Sequence, residues 1–367
     1  MKIIVTYASA GAGHLKAAEA IYGYLKEHYS EVDVKLVDIL DKAACFYKLV
    51  YLLGYNFLIR HAKFAWSICF WFTQFRLFRI FTRPIVRALN YLNTKQFAGF
   101  LTTENPDFII STHFLSSEIS AALKKSKKIN SKLITVITDF GVHSFWLSKG
   151  TDYYVVASTF TANLLIKEGI NAEKIKVFGI PVNSKFTKQY QRNILCQKLN
   201  LDARQFTLLV MTGSFGIGPI EAAVELLKEN VQILVVCANN KKLFSKLSNK
   251  NYPQVSTFGF VDNIHELMAI TDVIVTKPGG LSICELLSME LAPIFICAIP
   301  GQETLNIKAL QDLGVGLCAN SAQEIKKIVL DFKSNPDKLR IIKEKIRQIK
   351  KPFAAEELCD AICKGSI

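Results

Sequence analysis

The sequence predicts an α/β chain of two consecutive doubly wound units, each a parallel sheet with helices on both faces. Three observations carry that expectation. Strand-like apolar runs alternate with helical stretches through most of the chain. The alternation lapses in the polar, basic stretch 181–205 and then restarts. Finally, 367 residues are enough for two domains, at about 150 residues each. A composition 50% hydrophobic and 21% charged fits packed domains and excludes a disordered or fibrous chain.

The first unit is expected over residues 1–185. Residues 2–8 (KIIVTYA) have the apolar, β-branched character of a strand buried on both faces. Residues 9–13 (SAGAG) break it, and His14–Tyr29 follows with Ala17, Ala20, Ile21 and Tyr24 at helical spacing on one face. Val32–Val37 is the second strand. Further strands are expected at Phe108–Thr112, Lys132–Thr138, Tyr153–Ala157 and Lys176–Phe178, with helices at Ser116–Lys127 and Thr159–Gly169. Helical crossovers between strands imply a parallel sheet. At the first strand-to-helix turn, Gly11-Ala12-Gly13-His14 lets another molecule approach the backbone, and the helix start offers free N–H groups to an anion or hydroxyl oxygen. His14 is placed to take a proton there. A plain helix-opening turn carrying an incidental histidine is the alternative.

One segment departs from this rhythm. Lys42–Thr103 has no strand pattern and no Asp or Glu, yet it holds nine Lys or Arg and sixteen of the chain's forty aromatic residues. Such a segment is expected to form helices lying in a membrane interface, rings at the acyl–headgroup boundary and basic side chains on anionic lipid. Its longest uncharged aromatic run, Phe64–Phe75, has twelve residues, short of the ~20 that span a bilayer. A buried helical pair with a basic outer face and a single-stranded nucleic-acid site are the alternatives. Aromatic density without acids favours the membrane, and nucleic acid is not expected as a partner.

The second unit is expected over 186–367, entered through the 181–205 linker. Strands are expected at Phe206–Met211, Gln232–Cys237, Gln254–Phe258, Val273–Thr276 and Ile294–Cys297, with helix over 321–363. Residues 212–219 (TGSFGIGP) repeat the glycine-rich strand-to-helix turn, without the spacing of a dinucleotide fingerprint or a P-loop. Residues 275–285 (VTKPGGLSICE) carry the strongest local signal. After Lys277, two glycines open a helix whose first N–H groups, on Gly280, Leu281 and Ser282, would face a diphosphate. Glu285, one turn on, is placed to accept ribose hydroxyls, or else to close a capping box with Ser282. Phe260 could flank a base, and residues 301–306 (GQETLN) offer amide and carboxylate groups for sugar hydroxyls.

A net charge of +14 and a pI near 9.2 call for a polyanionic partner. No secretory leader pattern follows the first strand, so a cytoplasmic chain is expected. Nine scattered cysteines without a CxxC pair suggest free thiols rather than disulfides or zinc. No Asp-x-Asp occurs, so no metal is expected to bridge a diphosphate.

The stretches ASAGAGHLKAAEAI, VITDFGVHSFW, MTGSFGIGPIEAA, FGFVDNIHELMAITDVIVTKPGGLSICELL and IPGQETLN resemble the monogalactosyldiacylglycerol synthase and processive diacylglycerol glucosyltransferase family. That family is related to the glycosyltransferase that adds N-acetylglucosamine to lipid I. The resemblance covers nearly the whole chain and implies a GT-B fold, two Rossmann-like domains facing a cleft. It implies a UDP-sugar on the C-terminal domain and a lipid acceptor on the N-terminal one, with no cofactor. By it, Lys277, Gly280, Leu281, Ser282 and Glu285 fall in the diphosphate and ribose stretch, and Gly213, Ser214 and Gly216 in the second glycine loop. Phe260 and Ile264 match the uracil-flanking loop, and Gln302, Glu303 and Asn306 the sugar-contacting stretch. His14 matches a catalytic or acceptor-positioning base. Asp139 and His143 lie in a TD-x-x-x-H pattern, with Asp139 the second candidate base. The implied activity is inverting transfer of glucose or galactose to diacylglycerol or a related lipid, by an enzyme bound peripherally to the inner membrane face through 42–103. Transfer of N-acetylglucosamine to a polyprenyl-diphosphate lipid, a non-catalytic UDP-sugar sensor that docks on membranes and, more distantly, a UDP-sugar epimerase on a similar two-domain fold, which would need no membrane face, are the rivals.

Overall fold

A computed structural model describes residues 1–211, 218–296 and 298–367 of the chain, so the expected loop residues Gly213, Ser214 and Gly216 lie outside the described residues. The near-continuous apolar runs become strands of two six-stranded sheets, parallel throughout. Residues 1–183, 299–306 and 351–367 form one compact unit, and residues 184–298 with 307–350 the other.

In the first unit the strands are β1 (Lys2–Tyr7), β2 (Asp33–Asp38), β3 (Phe108–Ser111), β4 (Lys132–Val136), β5 (Tyr153–Val155) and β6 (Ile175–Lys176), in the order β2-β1-β3-β4-β5-β6. Helix α1 (Ala12–His28) covers one face, burying Ala18, Ile21 and Leu25 on Ile3, Val5 and Ile134. The other face is closed by Phe97 and Leu101 of α5 (Lys95–Glu104) and by Leu115 and Ile119 of α6 (Phe114–Lys125). Helix α7 (Thr159–Lys167) follows β5. The chain leaves β1 toward β2 but leaves β3 toward β4, so neighbouring β1 and β3 form the sheet's switch point. Open α/β sheets bind ligands in the crevice beyond the strand ends at that point.

The acid-free segment folds into α2 (Cys45–His61), α3 (Lys63–Gln74) and α4 (Arg76–Asn93), followed by α5. Each of the first three carries an exposed apolar stripe at helical spacing: Phe46, Leu49 and Leu53; Phe64, Ile68 and Trp71; Phe81, Ile85 and Leu89. Glu118 of α6 anchors their inner side. It accepts from Arg87 Nε at 2.9 Å and from Asn90 Nδ2 at 2.8 Å. Tyr47 donates to Asn90 Oδ1 at 2.8 Å. The alternative of a buried helical pair therefore fails for these stripes, which are exposed and without cover among the described residues. Among the described residues no helix is long and apolar enough to cross a membrane.

The second unit contains α8 (Arg192–Lys198), β7 (Thr207–Met211), α9 (Ile220–Leu227), β8 (Gln232–Val236), α10 (Lys241–Ser248) and β9 (Val255–Phe258). It continues with α11 (Ile264–Ala269), β10 (Val273–Thr276), α12 (Gly280–Ser288) and β11 (Ala292–Phe295). After α13 (Gln302–Asp312) come β12 (Leu317–Cys318), α14 (Ala322–Ser334), α15 (Pro336–Ile349) and α16 (Ala354–Cys363). The strand order is β12-β11-β10-β7-β8-β9, with its switch point between β7 and β10.

Two boundary expectations are corrected. The second unit was expected to keep everything after 186, but α16 packs on the first sheet, with Leu358, Cys359 and Ile362 buried among Ile3, Ile21 and Val34. Residues 299–306 likewise cluster with the first unit. The 181–205 linker, in turn, contains α8, whose Arg192 is paired with Asp272 at 3.0 Å and donates to the Gln205 carbonyl at 2.9 Å.

Candidate active site

The first switch point carries the chemistry. Thr6 of β1 lies beside Ser111 of β3, so the turns after both strands emerge together, bringing His14 next to Thr112 and His113. His14 is not an incidental feature of its turn. Its ring reaches across to the Thr112 carbonyl, with Nδ1 at 2.8 Å, and Thr138 Oγ1 stands 2.9 Å from the same nitrogen. A carbonyl oxygen only accepts, so Nδ1 carries the hydrogen and Nε2 keeps its lone pair. Burial pushes His14 down to about 4, the hydrogen bond to Thr112 opposing, so the ring is neutral at ordinary pH.

His14 lines a cavity of about 440 Å³ contained in the first unit. Its core side includes His113, Phe114, Asp139, Phe145 and Trp146. Its other side comes from the acid-free helices through Tyr51, Trp66, Phe70, Val86 and Asn90. Among the described residues no Lys or Arg lines it, and Asp139 is its one carboxylate.

Asp139 is buried, and both oxygens accept from amides. Gln302 Nε2 donates to Oδ2 at 2.7 Å and Asn306 Nδ2 to Oδ1 at 3.1 Å. Burial nevertheless raises its carboxyl to about 7, the two amides pulling the other way and Glu303 adding to the rise. Asn306, fully buried, also accepts the N–H of Phe140 at 2.8 Å and of Gly141 at 3.3 Å. Glu303 accepts the Ile299 N–H at 2.6 Å. Gln302, Glu303 and Asn306 thus take protein partners in the first unit, and Asn306 has no surface left for a sugar. Replacing Asn306 by Ala would strand Asp139 Oδ1 and two buried N–H groups, a loss of about 2–4 kcal/mol. Denaturant unfolding should report that drop, and unchanged stability would show that the clamp carries no load.

The loop after Asp139 is held from its other side by the end of α3. Gln74 donates to the Val142 carbonyl at 3.0 Å and accepts the Ser144 N–H at 2.9 Å. His143 accepts the Phe145 N–H at Nδ1, leaving Nε2–H for Thr73 Oγ1 at 3.1 Å and the Phe70 carbonyl at 3.3 Å. The histidine of the TD-x-x-x-H pattern is therefore a tie between loop and helix. Two close approaches need glycine. A Cβ on Gly141 would stand 2.6 Å from Leu305 Cβ, and Gly301, at φ +91°, would meet the Phe70 ring at 2.5 Å.

In the second unit, β10 ends at its switch point and α12 opens directly after it. The N-cap is Gly279, with no side-chain cap. Ser282 is therefore the third helical residue, which overturns the capping-box alternative. The N–H groups of Gly280, Leu281 and Ser282 have no hydrogen-bond partner among the described residues. Leu281 turns its side chain into the core and offers a ligand only its backbone, while Lys277, Ser282 and Glu285 are half-buried. Phe260 is 71% exposed, just before half-buried Ile264 at the start of α11.

Sequence reasoning missed His113, because STHF matches no spaced pattern. Only the adjacency of β1 and β3 brings it to His14, ring centroids 4.6 Å apart and edge-on at 84°.

Residues 14–182 match the family model described as monogalactosyldiacylglycerol (MGDG) synthase, and residues 207–357 the glycosyltransferase family 28 C-terminal domain. Monogalactosyldiacylglycerol synthase 1, chloroplastic, of Arabidopsis thaliana is 31% identical over 96% of this chain and 69% of its own length. A processive diacylglycerol beta-glucosyltransferase of Bacillus cereus is 27% identical over 98% of this chain and 93% of its own. Among solved structures, MurG of Acinetobacter baumannii superposes with a TM-score of 0.60 at 14% identity, covering 99% of both chains. MnaA of S. aureus with UDP gives 0.63 at 13% identity, over 99% of this chain and 96% of that one. At such identities the likeness establishes the fold, which is GT-B.

Proposed function

Because the chain belongs to the monogalactosyldiacylglycerol synthase family, we propose that it is a UDP-sugar-dependent hexosyltransferase that glycosylates diacylglycerol or a related lipid at a membrane surface. One observation carries this reading: a neutral histidine with its Nε2 lone pair open, set in an apolar cavity whose described lining holds no cation. An apolar pocket without positive charge suits a neutral lipid with one hydroxyl. It does not suit a polyprenyl diphosphate, whose charge would be buried unpaired. A sensor has no use for a histidine whose tautomer is fixed for proton uptake.

In the reaction, His14 Nε2 takes the proton of the acceptor hydroxyl while that oxygen bonds to the anomeric carbon from the side opposite UDP. The bond from carbon to diphosphate breaks, its electron pair leaving with UDP. The uncapped start of α12, with Gly280, Leu281 and Ser282, is suited to hold the diphosphate as its charge grows. Glu285 is assigned to the ribose and Phe260 to the base. No metal enters this scheme. The exposed apolar stripes of α2, α3 and α4 are assigned to the membrane surface, and use of a UDP-sugar assigns that surface to the inner face, where such donors are made.

The test is product analysis. Vesicles with and without diacylglycerol are incubated with UDP-glucose, UDP-galactose or UDP-N-acetylglucosamine, and lipids are read by mass spectrometry. A hexosyl-diacylglycerol is the expected product. An N-acetylhexosaminyl lipid, or vesicle binding without any transfer, would overturn the proposal.

A further inference from the structure

We propose that His113 is a second catalytic group, whose Nε2–H holds the oxygen of the acceptor hydroxyl while His14 Nε2 takes its proton. This rests on the assignment of His14 as base. The two rings touch edge-on, at 4.6 Å between centroids, and their backbone partners hold them in opposite tautomers. His14 gives its Nδ1–H to the Thr112 carbonyl and so presents a lone pair. His113 does the reverse. Its Nδ1 accepts the Leu115 N–H at 3.1 Å at the start of α6, so the one hydrogen of a neutral ring sits on Nε2. Burial and the neighbouring His14 hold His113 well below the usual imidazole range, which keeps it neutral.

That Nε2–H has no hydrogen-bond partner among the described residues, and the ring lines the cavity. Other amides of the lining are committed. Asn90 serves Glu118 and Tyr47, and Gln302 serves Asp139. A hydroxyl is a donor and an acceptor at once, and adjacent imidazoles with opposite tautomers complement both functions. The pair would also point the O–H bond at His14 and a lone pair elsewhere, leaving the oxygen aligned for attack. An acceptor without a free hydroxyl would leave His14 Nε2 without a proton to take.

The experiment compares His113→Asn and His113→Gln with the parent enzyme on vesicles containing diacylglycerol. Asparagine keeps an oxygen for the Leu115 N–H but has no donor at the Nε2 position, while the longer glutamine places an N–H near it. His113→Asn is expected to lower kcat/KM for the acceptor about 10- to 100-fold, with the donor KM and melting temperature unchanged. His113→Gln should retain more acceptor activity than His113→Asn although it loses the helix cap. Parental kcat/KM in His113→Asn would overturn the proposal, as would a Gln variant no better than the Asn variant. A His14→Ala enzyme run alongside separates the two assignments. If it still transfers sugar, the base is misassigned. If it fails while His113→Asn is fully active, only the role of His113 falls.

Discussion

His14→Ala is expected to cut hexosyl transfer by about 10²–10⁴-fold, the usual contribution of a positioned base, while the KM for the UDP-sugar stays within a few-fold of the parent value. The expectation follows from where the ring is held. Its one hydrogen is spent on the Thr112 carbonyl and its ring lines an apolar cavity, so alanine removes the proton acceptor without touching α12. Initial rates of lipid product across donor concentrations measure both quantities. Near-parental turnover would exclude His14 as base. The pH profile then separates it from Asp139, the other candidate. A base works only when unprotonated, so kcat/KM falls on the acid side of its pKa in the free enzyme. His14, pushed down to about 4 by burial, predicts a rate flat from pH 8 to about 5 and falling near 4. Asp139, raised to about 7, would instead make the rate climb between pH 6 and 8. A limb near 7 that disappears in Asp139→Asn together with turnover would transfer the role to Asp139.

The parts of this site differ in how far they could be read from the chain. Strands β1, β3, β4 and β7 were legible because strands buried on both faces are apolar runs of a length no amphipathic surface helix needs. Two-residue β12 leaves no such trace. Helix α8 was hidden in a polar stretch because Arg192 and its partner Asp272, eighty positions apart, stabilise it and hydrophobic periodicity does not. Helix α16 shows the converse. Its apolar face is plain in the sequence, but Leu358, Cys359 and Ile362 would fit the flank of either sheet, and nothing local specifies the first.

The histidines repeat the contrast. His14 was legible because Gly11 and Gly13 mark a turn where a strand meets a helix, and switch-point turns carry ligands. His113 became meaningful only when the pairing of β1 with β3 set it against His14. The GQETLN stretch was recognised, but residues 299–306 spend their amides on Asp139 and its loop. Local chemistry gave the right groups there. The tertiary structure chose their partners.

Replacing Phe64, Trp71, Phe75 and Phe81 together by Ser is expected to lower partitioning onto anionic vesicles by about 10³-fold. The four are 80%, 45%, 62% and 74% exposed, so in the folded chain alone Phe64, Phe75 and Phe81 bury little, and only Trp71, which packs on Phe70, has over half its surface covered. In a bilayer interface each ring would leave water, at about 1.5–3 kcal/mol for full burial of a large apolar side chain. Half of that for each of four rings sums to about 3–6 kcal/mol, which brackets the ~4 kcal/mol that a 10³-fold change requires. Basic residues add about 1 kcal/mol each on an anionic surface. Raising salt should therefore weaken parental binding in part, whereas the weaker binding left to the serine variant should disappear with salt. Sedimentation with vesicles of pure phosphatidylcholine and of a phosphatidylglycerol mixture separates the two contributions. As a control, Ile166, Ile194, Phe244 and Phe353 are also exposed, but outside the acid-free segment, and replacing them should leave partitioning unchanged. Because α3 ends in the side chains that hold the 142–144 loop, surface binding and the cavity share one helix. The serine variant should thus lose transfer to vesicle-borne lipid while still releasing UDP slowly to water. Undiminished partitioning would remove the membrane from the proposal, and retained binding to single-stranded nucleic acid by the parent would replace it.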